Sequence, residues 1–553
     1  KLILKADFPK LNVLAFDFEV YNPEGTPRPR KDPIVVISLL DNNGFKKVLT
    51  FYDKKAKPLP IQPDFVEILR NEKELLQRFL EIVKERDPQI LLGFNSDAFD
   101  IPYLRARLEY NRIPFMVGRE LAPLKFRRGG MAPRAKIKGR INLDIFPSVR
   151  RAIRLANYTL DVVALELLGK EKLEIPAYEI WKYWKEGGEK LLKLIKYSLS
   201  DVEVTLELGE KFLPQKIELG RLIRQPLFDV ARVTAGQIVE YLLIAKAYEI
   251  GELIPNKPKR EEVLRRESEV PIVGAYVKEP EKGIHNNILV FDFKSMYPSI
   301  IVSHNIDPST INCDCCKEEE AQVAPEVGFK FCTKRKGFIP IILEDLINRR
   351  MEIKKKMRTL SVDSIEYLIL NVQQEAIKIA SNAFYGTLAY SRFRWYCKEA
   401  AASTTAWGRY YITKTIDLAE KFGLHPIYAD TDSLFTVVKE NPREKAFAFI
   451  EEVNRSLPGI IQLEFQGFYP RGLLVTKKRY ALADGDGKIT ARGLEVVRRD
   501  WAPIAKKTQR LVLEAILKEG NPEKAADIIR QTITNIIARN VMLEDMIIYT
   551  QLT

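Results

Sequence analysis

Long hydrophobic runs are missing from this chain of 553 residues. No apolar stretch approaches the ~20 residues of a membrane-spanning helix, and no signal peptide is visible, so we expect a cytoplasmic protein without a membrane partner. Internal repeats and low-complexity linkers are also missing. An excess of acidic residues is absent too, because the net charge is +14. That balance favours a polyanionic partner, since Lys and Arg gain affinity by releasing counterions from phosphates.

Cysteine is scarce, and four of the five cluster around one loop: Cys313, Cys315, Cys316 and Cys332, with Cys397 apart. In a cytosolic protein this pattern favours metal or redox chemistry over a secreted disulfide scaffold. The spacing is not a pair of Cys-x-x-Cys units. A disulfide, free thiols and a zinc site therefore stay open as alternatives.

The chain is too long for a single core, and its 46% hydrophobic and 29% charged residues are typical of globular domains. The first third alternates strand-like and helix-like runs, which predicts an α/β domain. The strand-like runs are residues 13–20, 34–40 and 90–94, and the helical ones are 72–85 and 190–210. A helical stretch is predicted over 228–252.

The segment 428–433, YADTDS, lies between two apolar runs that predict strands joined by a short turn. Residues i and i+2 of a strand share a face, so Asp430 and Asp432 can point the same way. Two carboxylates held that close repel each other unless a cation neutralises them. Hard divalent ions such as Mg²⁺ prefer such oxygen ligands and bridge them to phosphates.

A second apolar strand, 287–291, leads to Asp292 and the segment FKSMYPSI. One Asp from each strand end would give a two-ion site suited to in-line displacement at phosphorus. A plain polar turn is the alternative for Asp-x-Asp, and the Asp292 segment argues against it. The two stretches closely resemble motifs A and C of the family B DNA polymerases, particularly the archaeal branch.

This resemblance runs nearly end to end and implies a multi-domain α/β protein: an RNase H-like 3′→5′ exonuclease domain and a right-hand polymerase. The polymerase has an antiparallel-sheet palm, helical-hairpin fingers and a partial helical thumb. The fingers correspond to predicted helices over 341–360 and 364–385. The expected domains are exonuclease 1–212, helical connector 213–256, palm 257–338 and 391–476, fingers 339–390, and thumb 477–553.

A second set of carboxylates lies near the N-terminal end. Asp17 and Glu19 share one face of a buried strand, and Asp100 follows another apolar strand. Tyr197 and Asp201 share a helix face at i, i+4. Taken singly, each pattern is more often a surface feature. Their order resembles the three motifs of the proofreading exonuclease, which implies four acidic metal ligands and a water-positioning Tyr197.

The resemblance also assigns nucleotide contacts. Lys378, Asn382 and Tyr385 fall on one predicted helical stripe, facing Arg350 and Lys354 on the other fingers helix. Each Lys alone would be an ordinary surface residue. Tyr297 matches the aromatic that excludes a 2′-hydroxyl. The expected nucleotide-binding residues are Tyr297, Arg350, Lys354, Lys378, Asn382 and Tyr385.

Two further stretches resemble the primer-grip and duplex-contacting motifs of the family. Phosphate contacts of this kind set register without reading sequence. The expected DNA-binding residues are Lys477, Lys478, Arg479, Tyr480, Arg492, Arg498 and Arg499. We expect primer-template DNA and deoxynucleoside triphosphates as substrates, and a sliding clamp as a further partner.

The implied cofactor is Mg²⁺, with two ions per site, and Mn²⁺ as a substitute. The expected metal ligands are Asp292, Phe293, Asp432, Asp17, Glu19, Asp100 and Asp201, and the expected catalytic residues add Asp430 and Tyr197. Cys316 and Cys332 match the positions of a disulfide in archaeal relatives. A second family disulfide cannot form, because Ala400 stands where Cys397 would have its partner.

Some departures from the family are visible. Almost nothing of the usual N-terminal domain is present, and the thumb stops early, so we expect either a trimmed chain or a partner polypeptide that supplies the rest of the thumb. An exonuclease with a vestigial polymerase half and a non-catalytic DNA-binding subunit are the competing functions. Both predict lost carboxylates, yet all seven expected acids are present. The predicted function is therefore template-directed DNA synthesis with proofreading.

Overall fold

The computed structural model describes residues 10–120, 125–127, 134–153, 155, 157–172, 175–317, 319–498 and 500–548. It divides into two compact units, Lys1–Val233 and Thr234–Thr553. Among the described residues, none of the helices combines the length and apolar character needed to cross a membrane.

The N-terminal unit is built on a mixed six-stranded sheet with the order β4-β3-β2-β1-β5-β8. Strand β1 pairs antiparallel with β2 and parallel with β5. Its near-continuous apolar sequence buries every residue except the half-buried Asp17. The strands are β1 Val13–Val20, β2 Ile34–Asp41, β3 Lys46–Phe51, β4 Val66–Leu69, β5 Ile90–Gly93 and β8 Ile141–Asp144, and β6 Lys125–Arg127 pairs separately with β7 Arg134–Lys136.

Helices cover this sheet, and apolar clusters from both faces form the core of the unit. They are α1 Glu72–Arg86, α2 Asp100–Tyr110, α3 Phe146–Ala152, α4 Leu160–Leu168, α5 Ile180–Glu186, α6 Gly188–Ile223 and α7 Leu227–Val230. Helix α6 packs on β1 and β2. It continues without a break through residue 212, where the sequence interpretation ended the first domain, and the compact unit extends to Val233.

The C-terminal unit contains an antiparallel seven-stranded sheet with the order β17-β16-β15-β10-β14-β13-β9. Its strands are β9 Val277–Lys278, β10 Gly283–Phe293, β13 His425–Asp430, β14 Ser433–Val437, β15 Leu463–Thr476, β16 Arg479–Ala483 and β17 Ile489–Arg492, and β11 Gln322–Val323 pairs separately with β12 Lys330–Phe331. Because β16 and β17 belong to the same sheet as β10, this layer extends past residue 476, where the predicted palm ended.

The helices of this unit are α8 Ala235–Ile250, α9 Arg260–Glu267, α10 Met296–Ser303, α11 Phe338–Met357, α12 Ile365–Asn382, α13 Phe384–Leu388, α14 Lys398–Lys421, α15 Pro442–Ser456, α16 Pro503–Glu514, α17 Pro522–Ile537 and α18 Leu543–Met546, with a π-helical segment Ala515–Glu519. Helices α11 and α12 pack against each other and are joined by a short turn that ends at the N-cap Ser364. Helix α14 lies against α10 and against β13 and β14, the two strands that flank the turn with Asp432.

Candidate active sites

The first carboxylate cluster lies on β1 and α6. Asp17 and Glu19 project from one face of β1, and the Ser38 hydroxyl, opposite Asp17 on β2, lies 2.8 Å from the Ser198 hydroxyl of α6. This packing brings Asp201 to β1. Carboxylate oxygens of Asp17, Glu19 and Asp201 lie within 4.8 Å of one another.

Asp100 is the first residue of α2 and is buried, but it is not part of that close group. Its pKa is raised to about 7, mainly by burial and to a smaller extent by the charge of the nearby Asp144. The charge of Asp100 in turn raises the pKa of Asp17 and of Glu19. The four acids predicted from the sequence therefore form one electrostatic cluster, in which three are in close contact and the fourth is at its edge.

Burial is the main reason that these acids hold protons. It raises the pKa of Asp17 well above its ordinary value, and Glu19 adds to the effect. Burial and the charge of Asp201 raise the pKa of Glu19 to about 8. The pKa of Asp201 rises to about 6 through burial, although Lys172 opposes the change. Such carboxylates ionise readily only beside added cations, and this donor set of hard oxygens fits divalent ions such as Mg²⁺.

Lys172 is a member of this cluster that the sequence reasoning missed. Its side chain is only 4% exposed and forms an ion pair with Asp201. Its ammonium also lies 4.4 Å from the centre of the Tyr197 ring. Tyr197, one turn before Asp201 on α6, is half-buried. In the sequence Lys172 belongs to a charged run, GKEKLE, that resembles a solvated surface, so nothing in the pattern distinguished it.

The second cluster forms where β10 meets the turn between β13 and β14. Asp292 lies opposite Ser433, and the backbone N–H of Phe293 donates to the Asp432 carbonyl at 2.8 Å. Thr431 has a φ of 61°, and its N–H donates to the Tyr276 carbonyl at 3.0 Å. This tight turn fixes Asp432 next to the end of β10.

The electrostatics distinguish Asp430 from the other acids of this centre. The pKa of Asp292 is raised to about 7. Burial is the largest cause, and the negative charges of Asp432 and Glu464 add to it. Asp430 has its own cation instead, because Lys478 Nζ lies 2.8 and 2.9 Å from its two oxygens. Among the described residues neither Asp292 nor Asp432 forms an ion pair, and burial raises the pKa of Asp432 although the charge of Lys478 opposes the change.

Glu464 is a second residue that the sequence reasoning missed. It lies on β15 directly opposite Asp292, with 54% of its side chain exposed, and Lys294 Nζ is 3.5 Å from its carboxylate. Its place in the centre depends on the β10–β15 register, which no local pattern around residue 464 indicates. Among the described residues the acids of this centre do not form a close triple like that of the first cluster.

Tyr297 lies at the start of α10, near the Asp432 carboxylate. Its ring packs on Tyr385 with centroids 4.3 Å apart. Gly408 of α14 is also close, because an added Cβ there would be 3.1 Å from the ring. Burial, then Tyr385 and then Asp432, raise the pKa of the phenol. The ring therefore packs closely against two neighbours near the acids.

The predicted fingers cations lie on α11 and α12. Arg350 Nε donates to Gln374 Oε1 at 3.2 Å. Lys354 and Lys378 are exposed to solvent. One expectation was wrong: α12 ends at Asn382, so Tyr385 belongs to the separate helix α13 and does not continue the stripe of Lys378 and Asn382. A cleft is lined by Lys294, Ser295, Arg350, Lys354, Ser381 and Gln462.

The predicted DNA-binding cations lie in and after the β15–β16 turn, and each described one faces an acid or a strand partner. Lys477 and Lys478 form the turn, with Lys477 Nζ 3.4 Å from Glu279. Arg479 pairs with Glu495, Tyr480 lies opposite Arg492 across β16 and β17, and Arg498 pairs with Asp500 at 2.6 Å. Arg499 lies outside the described residues.

The expected Cys316–Cys332 disulfide is not formed. All five cysteines are thiols, and the Sγ atoms of this pair are 3.6 Å apart. A disulfide requires about 2.05 Å. The Sγ atom of Cys315 is closer to that of Cys332, at 3.4 Å. Cys332 therefore contacts more than one cysteine and is not paired with Cys316 alone.

The chain has two acidic clusters, one on the mixed sheet and one on the antiparallel sheet. Together they define an enzyme with two centres for phosphoryl transfer. Residues 227–553 match DNA polymerase family B, and residues 1–163 match the exonuclease domain of that family. The chain belongs to DNA polymerase family B. It is a DNA-directed DNA polymerase with a proofreading 3′→5′ exonuclease domain, which confirms the family, the fold class and the function predicted from the sequence.

Archaeal polymerases are among the similar proteins. The chain is 45% identical to a DNA polymerase of Thermococcus gorgonarius over 98% of this chain and 69% of that protein. It is 39% identical to a DNA polymerase of Archaeoglobus fulgidus over 100% of this chain and 66% of that protein. The solved family B DNA polymerase of Pyrobaculum calidifontis matches with a TM-score of 0.78 and 33% identity, over 98% of this chain and 68% of that one.

Proposed function

We propose that Asp292 and Asp432 hold the metal ions for nucleotide addition, with the main-chain carbonyl of Phe293 as a further ligand and Asp430 in a supporting role. The observation that carries this proposal is the difference in charge compensation. Asp430 is neutralised by Lys478, whereas Asp292 has its pKa raised to about 7 by burial and by other acids. An added cation relieves that repulsion, so Asp292 and Asp432 are the stronger ligand pair.

The ions we assign are Mg²⁺, two per centre, with Mn²⁺ as a substitute. When bound, they supply charge neutralisation of the phosphates and activation of the attacking oxygen. The protein orients the substrates around them. Tyr297 bounds the sugar, and Arg350, Lys354 and Lys378, with Asn382 and Tyr385, face the triphosphate from the fingers helices. Catalysis of this type depends mainly on positioning and on electrostatic stabilisation.

For proofreading we assign Asp17, Glu19, Asp100 and Asp201 as the metal ligands. Tyr197 is placed to orient a water molecule through its hydroxyl, because it lies one helical turn before Asp201. Lys172 holds the Asp201 carboxylate through an ion pair. The close approach of three acidic oxygens within 4.8 Å supports this assignment.

The DNA contacts that we propose lie on the β15–β17 strands and the segment that follows. Lys477, Lys478, Arg479, Tyr480, Arg492, Arg498 and Arg499 are assigned to the duplex backbone. The described ion pairs of Lys477 and Arg498 are on the surface, so phosphates can replace their acids at modest cost, whereas the Arg479–Glu495 pair is partly buried. The sheet continuity moves our proposed palm–thumb boundary from 476 to about residue 492. A sliding clamp, a second polypeptide and a cytoplasmic location stay predictions.

The assignment is tested by separating the two activities. Asp432→Ala should abolish primer extension and leave single-strand degradation nearly unchanged, because the two centres use different carboxylates. The double variant Asp17→Ala with Glu19→Ala should do the reverse. Both activities are measured on one labelled primer, with and without deoxynucleotides. Loss of both activities in a folded Asp432→Ala protein would refute the two-centre assignment.

A further inference from the structure

Four cysteine side chains meet at one point of the C-terminal unit, outside both carboxylate centres. Cys313, Cys315 and Cys316 lie in the loop before β11, and Cys332 directly follows β12. All four Sγ atoms lie within 4.8 Å of one another. The recorded separations are 3.4 Å for Cys315–Cys332, 3.6 Å for Cys316–Cys332 and 4.0 Å for Cys315–Cys316.

These separations match a tetrahedron of sulfur ligands around one ion. With Zn–S bonds of about 2.3 Å, ideal tetrahedral geometry places neighbouring sulfurs about 3.8 Å apart. We propose that Cys313, Cys315, Cys316 and Cys332 bind a single Zn²⁺ ion in a tetrathiolate site. Four protein ligands leave no open coordination position, so the role is structural and not catalytic.

Backbone groups around the cluster already point at the sulfurs. The Thr333 N–H donates to Cys316 Sγ at 3.5 Å, and the Arg335 N–H donates to Cys332 Sγ at 3.4 Å. Donors of this kind stabilise thiolate charge and orient the ligands from outside the coordination sphere. Zinc binding would release the thiol protons, so that four thiolates and one Zn²⁺ carry a net charge of −2. The neighbouring Lys334 and Arg335 side chains are of the opposite sign.

The surrounding segment contains little regular secondary structure. Strands β11 and β12 are two residues long, and the loop is tied to them by bonds such as Asn312 N–H to the Lys330 carbonyl at 2.7 Å. On the inner side, Asn305 Nδ2 donates to the Cys332 carbonyl at 2.6 Å. A zinc ion would therefore cross-link the loop to β12 and, through Asn305, fix the segment that connects α10 with α11.

The test is metal analysis of the full chain, purified under reducing conditions without chelator and then dialysed. We expect one zinc per chain by mass spectrometry, and replacement by Co²⁺ should give the visible absorption bands of tetrahedral thiolate coordination. Cys332→Ser should lose the zinc on dialysis against a chelator that leaves the unsubstituted chain loaded. Cys315→Ser should lose it too, and because Cys315 is exposed this variant keeps the test valid if Cys332→Ser does not fold.

Cys397→Ala is the matched control. Cys397 is also a thiol, but it lies outside the cluster, with its Sγ 3.6 Å from Glu399. This variant should keep its zinc and its cobalt spectrum. Four titratable thiols without zinc, a disulfide in the unreduced chain, or iron in place of zinc would each overturn the proposal.

Discussion

At the scale of single residues, Tyr297 is the residue that we propose to select the sugar of the incoming nucleotide. Its ring packs on Tyr385 and lies close to Gly408 and Asp432. If the ring edge excludes a 2′-oxygen by contact, Tyr297→Phe should still discriminate against ribonucleotides, because the ring remains. Tyr297→Ala should admit them, with a change in the kcat/KM ratio on the order of a thousandfold.

The measurement is single-nucleotide insertion with paired ribo- and deoxynucleotides on one primer-template. Tyr297→Phe is the matched control, since it removes only the hydroxyl. Deoxynucleotide addition by Tyr297→Ala should be weaker but present. An unchanged ratio in that variant would show that Tyr297 is a packing residue and that another group excludes the 2′-oxygen.

Lys172 offers a prediction about the editing centre. Its charge lowers the pKa of Asp17, Glu19 and Asp201. Lys172→Met removes the cation, so protons should compete better with metal ions, and the pH profile of single-strand degradation should move to higher pH. A shift of one pH unit corresponds to about tenfold less activity at a fixed pH on the acidic limb.

Lys172→Arg keeps the charge and serves as the control, with a profile close to that of the unsubstituted chain. The profiles are measured at fixed Mg²⁺ between about pH 6 and pH 9, where the raised pKa values titrate. Primer extension should be unaffected in both variants. A lower rate with no displacement of the profile would contradict the electrostatic role and leave Lys172 as a packing residue.

At the scale of secondary-structure elements, α10 is fixed to α14 through His304. The imidazole stacks on Trp407 with centroids 3.9 Å apart, and its Nε2 lies 2.7 Å from the Tyr411 hydroxyl. Burial lowers the pKa of His304 to about 4. The unfolded chain then binds more protons than the folded one between about pH 4 and 6.5. His304 therefore contributes stability that is fully present above about pH 6.5 and is lost as the pH falls through about 4.

This sign predicts the behaviour of two histidine variants. The lowered pKa of His304 is equivalent to a difference in folding stability of roughly 3 kcal/mol between about pH 6.5 and about pH 4. In the unsubstituted chain, the protection of α10 from hydrogen exchange should decrease below pH 6.5. This decrease should be smaller in His304→Gln and unchanged in His425→Gln, because His425 is exposed. Hydrogen exchange of peptides covering 296–303 is the measurement. Equal pH slopes in the two variants would contradict the assignment.

Sequence reasoning succeeded for elements whose pattern is local. Strand β1 was predicted at 13–20 and is observed at Val13–Val20, because an uninterrupted apolar run surrounds the two acids. The turn of Asp430 and Asp432 was placed correctly between its two strands for the same reason. Both centres were found from carboxylates at short spacing next to such runs.

The misses have a different physical origin. Glu464 enters the second centre through strand register, and Lys172 enters the first through tertiary packing, so neither has a local signal. The end of α12 at Asn382 was missed because Ala383 carries no break signal, and its backbone remains in the helical region at φ −77°. The late strands β16 and β17 were assigned to another domain because only their pairing with β15 shows that they extend the same sheet.

At the scale of the whole molecule, we expect the stability of the N-terminal unit to fall as the pH rises and to increase when metal ions bind. The folded unit retains protons on Asp17, Glu19 and Asp201 that the unfolded chain has released above about pH 4. In a chelator its stability should fall as the pH rises towards 8, the raised pKa of Glu19. Mg²⁺ should restore stability, and the gain should increase with pH because protons no longer compete.

Hydrogen exchange of peptides from β1, with chelator or with Mg²⁺, measures this effect between about pH 5 and pH 8, the window set by the raised pKa values. The double variant Asp17→Ala with Glu19→Ala is the control and should lose most of both dependences. A metal effect that is equal at the two ends of this range would contradict the prediction.

The positions of the first centre's residues along the chain also set the order in which they are synthesised. Asp17 and Glu19 lie on β1, whereas Lys172 and Asp201 are contributed by later parts of the same unit. At about 5–20 residues per second, translation reaches Asp201 roughly 10–40 seconds after Asp17. The nascent chain has Asp17, Glu19 and Asp100 without the cation until Lys172 is added, and it lacks the fourth carboxylate until Asp201 is added. The residues of the editing centre are therefore all synthesised before Asp292, the first acid of the second centre, has been added by the ribosome.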